Sequence, residues 1–193
     1  MMSQTKLYVF GAIGGLIVAG IVILVIALTS TETVVVDEAA FGSWHLVEPA
    51  DGLFSAAMPA GPEEAEALVP IENSDEAILQ RSYAASDENG NGYLISTFVY
   101  PAPFEEDQSR TILAGALEGM VGAVDGGTLE KSRFETHLGL PSVDFAVSVG
   151  EVNYQGKMLV KDRVLYQIMV AYDSGMLSDD AYIYFLNSFK PLP

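Results

Sequence analysis

The chain has 193 residues, with 26 acidic side chains against 9 basic ones and a formal net charge of −17. A surface that negative repels phosphate backbones and anionic lipid head groups, which argues against nucleic acid as a partner and for a domain that stands off the bilayer. There is no cysteine, so disulfides, thiolate catalysis, cysteine–zinc sites and a lipidated cysteine are excluded together.

From Leu7 to Leu28 the sequence reads LYVFGAIGGLIVAGIVILVIAL without a charge. About 22 such residues, rising roughly 1.5 Å each, span the hydrocarbon core of a bilayer, and the run is longer than the apolar region of a cleavable signal peptide. Residues 1–28 are therefore expected to be a short tip and a single transmembrane helix. Lys6 and the amino terminus lie before the run, and Glu32, Asp37 and Glu38 follow it. The positive-inside rule places the N-terminus in the cytoplasm and the rest of the chain on the periplasmic or extracellular side of the cell (inner) membrane. Gly11, Gly15 and Ala19 recur every four residues, a small-residue stripe that lets a second helix, self or other, pack closely. The chain contains no Asn-x-Ser/Thr acceptor site, which fits a prokaryotic membrane.

Residues 29–43 (TSTETVVVDEAAFGS) show no period and form a linker, and 44–193 form the extracytoplasmic domain, about 150 residues that suffice for a core of their own. Trp44 and Leu46, then Phe54, Ala56 and Met58, alternate on either side of a PADG turn and predict two short strands. Residues 77–86 and 92–100 predict a longer hairpin joined by Asp87-Glu88-Asn89-Gly90-Asn91-Gly92, whose Asn-Gly pairs supply positive φ. Asp107 or Ser109 is expected to cap a helix to about Val124, with Ile112, Leu113, Ala116, Leu117, Met120, Val121 and Val124 on one face. Glu105, Glu106 and Asp107 precede it, where its dipole favours acids. Further strands follow Gly126-Gly127: Val143 to Val149 alternate, a turn is expected at Gln155-Gly156, and Val164 to Tyr172 alternate again. Ser178 is expected to cap a last helix with Tyr182, Phe185, Leu186 and Phe189 on one face. Tyr182 and Tyr184 lie about 200° apart around that helix, so one must face outward. Helices between runs of hairpin strands give an α+β fold, an antiparallel β-sheet flanked by helices and preceded by the transmembrane helix.

Two segments resemble a known family. Phe54-Ser55-Ala56-Ala57-Met58-Pro59-Ala60-Gly61-Pro62 is similar to the F-s-x-x-x-P-x-x-P opening of PsbP-like domains. Leu165-Tyr166-Gln167-Ile168, and Tyr184 through Phe189-Lys190, resemble their closing strand and their helix with its F-x-x-S-F signature. The resemblance covers 44–193 and implies an α/β/α sandwich, mostly non-catalytic, of the kind found as extrinsic subunits of photosynthetic membrane complexes. Plant members are soluble lumenal proteins, whereas this chain carries its own apolar helix.

Little chemistry is legible beyond that. Asp87, Asn89 and Asn91 occupy alternate positions of a D-x-N-x-N-G half calcium loop, but Phe98 stands where a bidentate glutamate is required, and the same residues make a good hairpin turn. His45 and His137 are the only histidines, too few for zinc catalysis, and no G-x-S-x-G elbow accompanies them. Glu63-Glu64, Glu105-Glu106 and Asp179-Asp180 each read as a helix start. Gly-rich stretches lack the context of phosphate loops. The expectation is a non-catalytic accessory subunit of a membrane protein complex, without a cofactor. The second reading is a ligand- or calcium-binding ectodomain.

Overall fold

Alternation of apolar side chains with period two commits about half of the described residues to strands, and the computed structural model describes residues 38–71, 74–173 and 177–193. The expected membrane span, its Gly11, Gly15 and Ala19 face and the expected linker through Asp37 lie outside the described residues. Among the described residues no helix is long and apolar enough to cross a membrane.

After a 3-10 turn at Glu38–Ser43 come β1 (His45–Val47), β2 (Phe54–Met58), β3 (Glu63–Pro70), β4 (Ala77–Ser86) and β5 (Gly92–Val99). A 3-10 turn at Glu106–Gln108 leads into α1 (Ser109–Gly122), followed by β6 (Thr128–His137), β7 (Leu140–Val149), β8 (Val152–Lys161) and β9 (Val164–Asp173). Helix α2 (Asp179–Ser188) and β10 (Lys190–Pro191) complete the order. Seven strands form one sheet, β3-β4-β5-β9-β8-β7-β6, antiparallel at every step. A small second sheet has the order β1-β2-β10. The fold is α+β, with antiparallel sheets and two α-helices.

Each face of the large sheet carries its own core. Ile112, Leu113, Ala116, Leu117 and Met120 of α1 pack on Phe98, Val143, Phe145, Met158, Leu165 and Met169. The opposite face is covered by α2 and by the small sheet, where Phe54, Met58, Tyr93, Ile95, Tyr166, Ile168, Phe185 and Phe189 are buried together. The small sheet shares the covering of this face, and its strand β2 is buried along nearly its whole length.

Several local expectations are corrected. In β1 the buried residue is Val47, while Leu46 is 68% exposed. Glu63-Glu64 open strand β3 instead of a helix, since pairing with β4 along its whole length overrides the helical preference of EEAEAL. Gln108, whose side chain donates to Glu105 and makes no capping bond to the helix, is the N-cap of α1, and Glu106 and Asp107 belong to the preceding 3-10 turn. Gln155-Gly156 is no turn; β8 runs straight through it. Ser178 does cap α2, its hydroxyl accepting from Ala181 N at 3.5 Å, with Asp179 and Asp180 in the first turn.

The two motif segments meet in space. Rings of Phe54 and Phe189 lie 5.5 Å apart, and Lys190 pairs with Ser55. Ser188 Oγ accepts from Ala57 N at 3.0 Å and donates to Phe185 O at 2.7 Å. The hydroxyl of Tyr166 donates to Leu53 O at 3.2 Å.

Candidate functional site

The Asp87 loop is held by its own carboxylate. Oδ1 accepts from Asn89 N and Asn91 N, both at 2.9 Å, and Oδ2 accepts from Asn91 Nδ2 at 2.8 Å and Tyr93 OH at 3.1 Å. Main-chain bonds from Asp87 N to Asn91 O and from Gly90 N to Asp87 O close the turn, with Gly90 at a φ of 83°. These contacts are donors aimed at Asp87, and they occupy the lone pairs a cation would need. To coordinate calcium, the carboxylate would have to give up these hydrogen bonds. Phe98, at the twelfth position of the loop pattern, is fully buried in the core beneath α1. Burial, and then the charge of Asp87, pushes the Tyr93 hydroxyl pKa well above the usual phenol range.

A second polar cluster has no sequence motif. Strand register places Arg133, Asp144 and Lys157 in one cross-strand row. Lys157 is 5% exposed and bonds the carboxylates of Glu135 and of Asp144, the latter at 2.5 Å. Arg133 bridges the same two acids at 2.7 and 3.1 Å. Two cations face two anions, so the row is a balanced strut across three strands. His137, at the end of β6, is held below its ordinary pKa by burial and then by the Lys157 charge. His45 is exposed at the start of β1. A lysine at the inward position of an alternating strand (Gln155, Lys157, Leu159) was the one signal available for this cluster.

At Asp144, burial raises the pKa but Lys157 and Arg133 more than reverse it, leaving a net depression. A depressed carboxylate adds stability above its unfolded pKa and loses it as pH falls through the folded one. Asp144→Asn is therefore expected to lower the urea midpoint near neutral pH, and the gap to wild type should close as the pH falls below the ordinary carboxylate range. A gap that stays constant across that range would contradict the pairing.

The third feature is a cleft of about 460 Å³ lined by Ala50 and Asp51 of the β1–β2 turn, Glu64, Ala65 and Glu66 of β3, and Arg81 and Tyr83 of β4. Gly52, at a φ of 66°, donates to Pro49 O and turns the chain so that Asp51 faces β4. Asp51 uses one oxygen to accept from Leu53 N at 3.1 Å and the other to accept from Arg81. Arg81 Nε donates to Glu66 at 2.8 Å. Beneath them Tyr83 is 3% exposed, and its hydroxyl has no hydrogen-bond partner among the described residues. Burial, followed by the charges of Asp51 and Glu64, pushes its pKa up to about 12. Three carboxylates against one guanidinium make the cleft acceptor-rich. Among its lining residues there is no nucleophile paired with a base.

An aromatic clamp fastens the start of the described chain. The ring of Phe41 stacks on Tyr184 at 4.5 Å, and Trp44 meets Tyr184 and Tyr93 edge-on, each at 5.2 Å. Tyr184 is thus the outward tyrosine of α2, and Phe41 and Trp44 cover part of it; Tyr182 lies toward the sheet, with its pKa raised chiefly by burial.

No family model matches the sequence, and no curated protein matches it. Among solved structures, the chain is similar to the solution structure of cyanobacterial PsbP (CyanoP) from Synechocystis sp. PCC 6803, at 11% identity and a TM-score of 0.48, over 85% of this chain and 98% of that one. It is also similar to a crystal structure from Bacteroides thetaiotaomicron VPI-5482, at 11% identity and a TM-score of 0.39, over 77% of this chain and 48% of that one.

Proposed function

We propose that the chain is a non-catalytic accessory subunit, anchored by residues 7–28 in the cell membrane and holding a PsbP-like domain against the extracytoplasmic face of a larger membrane complex. The observation that carries this reading is the aromatic clamp. Phe41 and Trp44 fix the domain at its entry point, so only residues 29–37 separate the apolar run from packed structure. Fully extended, that stretch reaches roughly 30 Å, so the domain stays within about its own diameter of the bilayer. A freely searching ectodomain needs a longer leash.

The PsbP-like assignment is supported by the contact between its two motif segments, Phe54-Ser55 against Ser188-Phe189-Lys190. Gly11, Gly15 and Ala19 give the anchor a face for a partner helix or for a second copy. Extraction in mild detergent followed by cross-linking mass spectrometry tests the reading. The chain is expected to co-purify with a larger assembly, with cross-links from both the apolar segment and the domain. Recovery of free monomer alone would sink it. A ligand-binding ectodomain is the second reading, and the cleft beside Arg81 is what favours it.

A further inference from the structure

We propose that the cleft between the Pro49–Gly52 turn and the β3–β4 edge is a docking site for an extended, lysine- or arginine-bearing segment of a partner protein. Tyr83 is the first ground. Its side chain is almost wholly buried, its hydroxyl has no partner among the described residues, and it lines the cleft. No protein group among the described residues competes for that hydroxyl, so a ligand reaching it through the cleft gains a hydrogen bond.

Charge is the second. Arg81 is already satisfied by Asp51 and Glu66, while Glu64 makes no ion pair among the described residues. An open carboxylate beside a saturated guanidinium calls for one more cation.

The third ground is the edge itself. Among the described residues β3 pairs with β4 alone, and of its side chains only Val69 is buried. One row of main-chain donors and acceptors is left for an added strand. Register puts Glu64 opposite Tyr83, Glu66 opposite Arg81 and Leu68 opposite Leu79, all on one face, with Leu68 69% exposed. An incoming strand with cations at alternate positions sets them beside Glu64 and Glu66, and an apolar residue beside Leu68.

The same charge selects the occupant. A second copy would bring a formal charge of −17 to an acidic edge, and the chain's own residues 29–37, TSTETVVVD, bring acids and no base. A basic segment is the complement. The site rests on the accessory-subunit reading for the existence of such a partner, but its chemistry is tested without one.

The probe is a fluorescent, acetylated peptide of alternating lysine and valine, matched to β3 in length, titrated by polarisation against the full chain in mild detergent. Saturable, salt-sensitive binding is expected. Glu64→Gln and Tyr83→Phe should each weaken it roughly three- to fivefold, the scale of one partly exposed polar pair. Glu118→Gln, the same charge change on α1, should leave it unaltered, and a lysine–proline peptide of equal charge should not bind because it cannot add a strand. No saturable binding, equal losses from Glu64→Gln and Glu118→Gln, or equal binding of the lysine–proline peptide would each overturn the proposal. Co-purification with a complex but no peptide binding would remove the cleft and leave the accessory reading standing. The reverse pattern would do the opposite.

Discussion

Gly156→Ala is expected to lower the thermal midpoint by roughly 6–12 °C, from about 3 kcal/mol of overpacking in a domain of this size. A Cβ built on Gly156 would sit 2.3 Å from Ile168 O and 2.7 Å from Met169 Cβ. Neither neighbour is the end of a flexible side chain. Both belong to β9, which is buried on both faces for most of its length and is paired on both sides. Relief therefore requires the β8–β9 ladder to shift, and with it the cores above and below. Gly122→Ala is the control: its added Cβ meets nothing within 4 Å, in the last position of α1. There the helical preference of alanine over glycine makes the change neutral or stabilising by up to about 1 kcal/mol. Melting followed by circular dichroism on both variants separates the outcomes. A Gly156→Ala midpoint within about 2 °C of wild type, under 1 kcal/mol on the same scale, would show that the ladder yields freely.

Asp87→Ala is expected to cost about 3 kcal/mol, since hydrogen bonds to a charged group contribute about 1.5–3 kcal/mol each and do not add. The substitution strips acceptors from Asn91, 2% exposed, and from the buried Tyr93 hydroxyl. Asp87→Asn, which keeps an oxygen for the two main-chain donors, should recover part of the loss. Combining Asp87→Ala with Tyr93→Phe should cost less than the two singles together, because both remove the same bond. Calcium decides between turn and ion site. If the carboxylate serves only its own hairpin, millimolar calcium leaves the wild-type midpoint unchanged; a rise in wild type that vanishes in Asp87→Ala would establish coordination.

How far the sequence reached depended on whether the governing contact was local. The β4–β5 hairpin was legible almost to the residue because Asn89-Gly90 and Asn91-Gly92 encode the turn within a few positions. The stripe of α1 was legible because Ile112, Leu113, Ala116, Leu117 and Met120 all face one core. Strand β9 was only half legible: Val164, Tyr166, Ile168 and Val170 alternate onto one core, but Leu165 and Met169 fill the other. Strand β3 was missed because Glu63 to Leu68 has a helical composition, and only its ladder with β4 makes it extended. Gly156 was misread as a turn because glycine after a polar residue signals one, whereas here the demand is the close approach of β9. The cleft was invisible for a similar reason. Asp51 and Arg81 stand 30 residues apart, and only the turn at Gly52 and the register of β4 bring them together.

The contact between β2 and the chain's end sets an order of events. Ala57 and Ser188 are separated by 131 positions, yet their bond and the Phe54–Phe189 stack close one core. Every strand and helix between them must be made before that core can be sealed. During synthesis the β2 segment, with its apolar Phe54, Ala56 and Met58, can meet β1 and Tyr83 early but has to wait for Phe185 and Phe189. A chain extended by a few residues per second spends many seconds in that state. The covering of the second face is thus a late step, and any factor that shields nascent apolar strands would act in that interval.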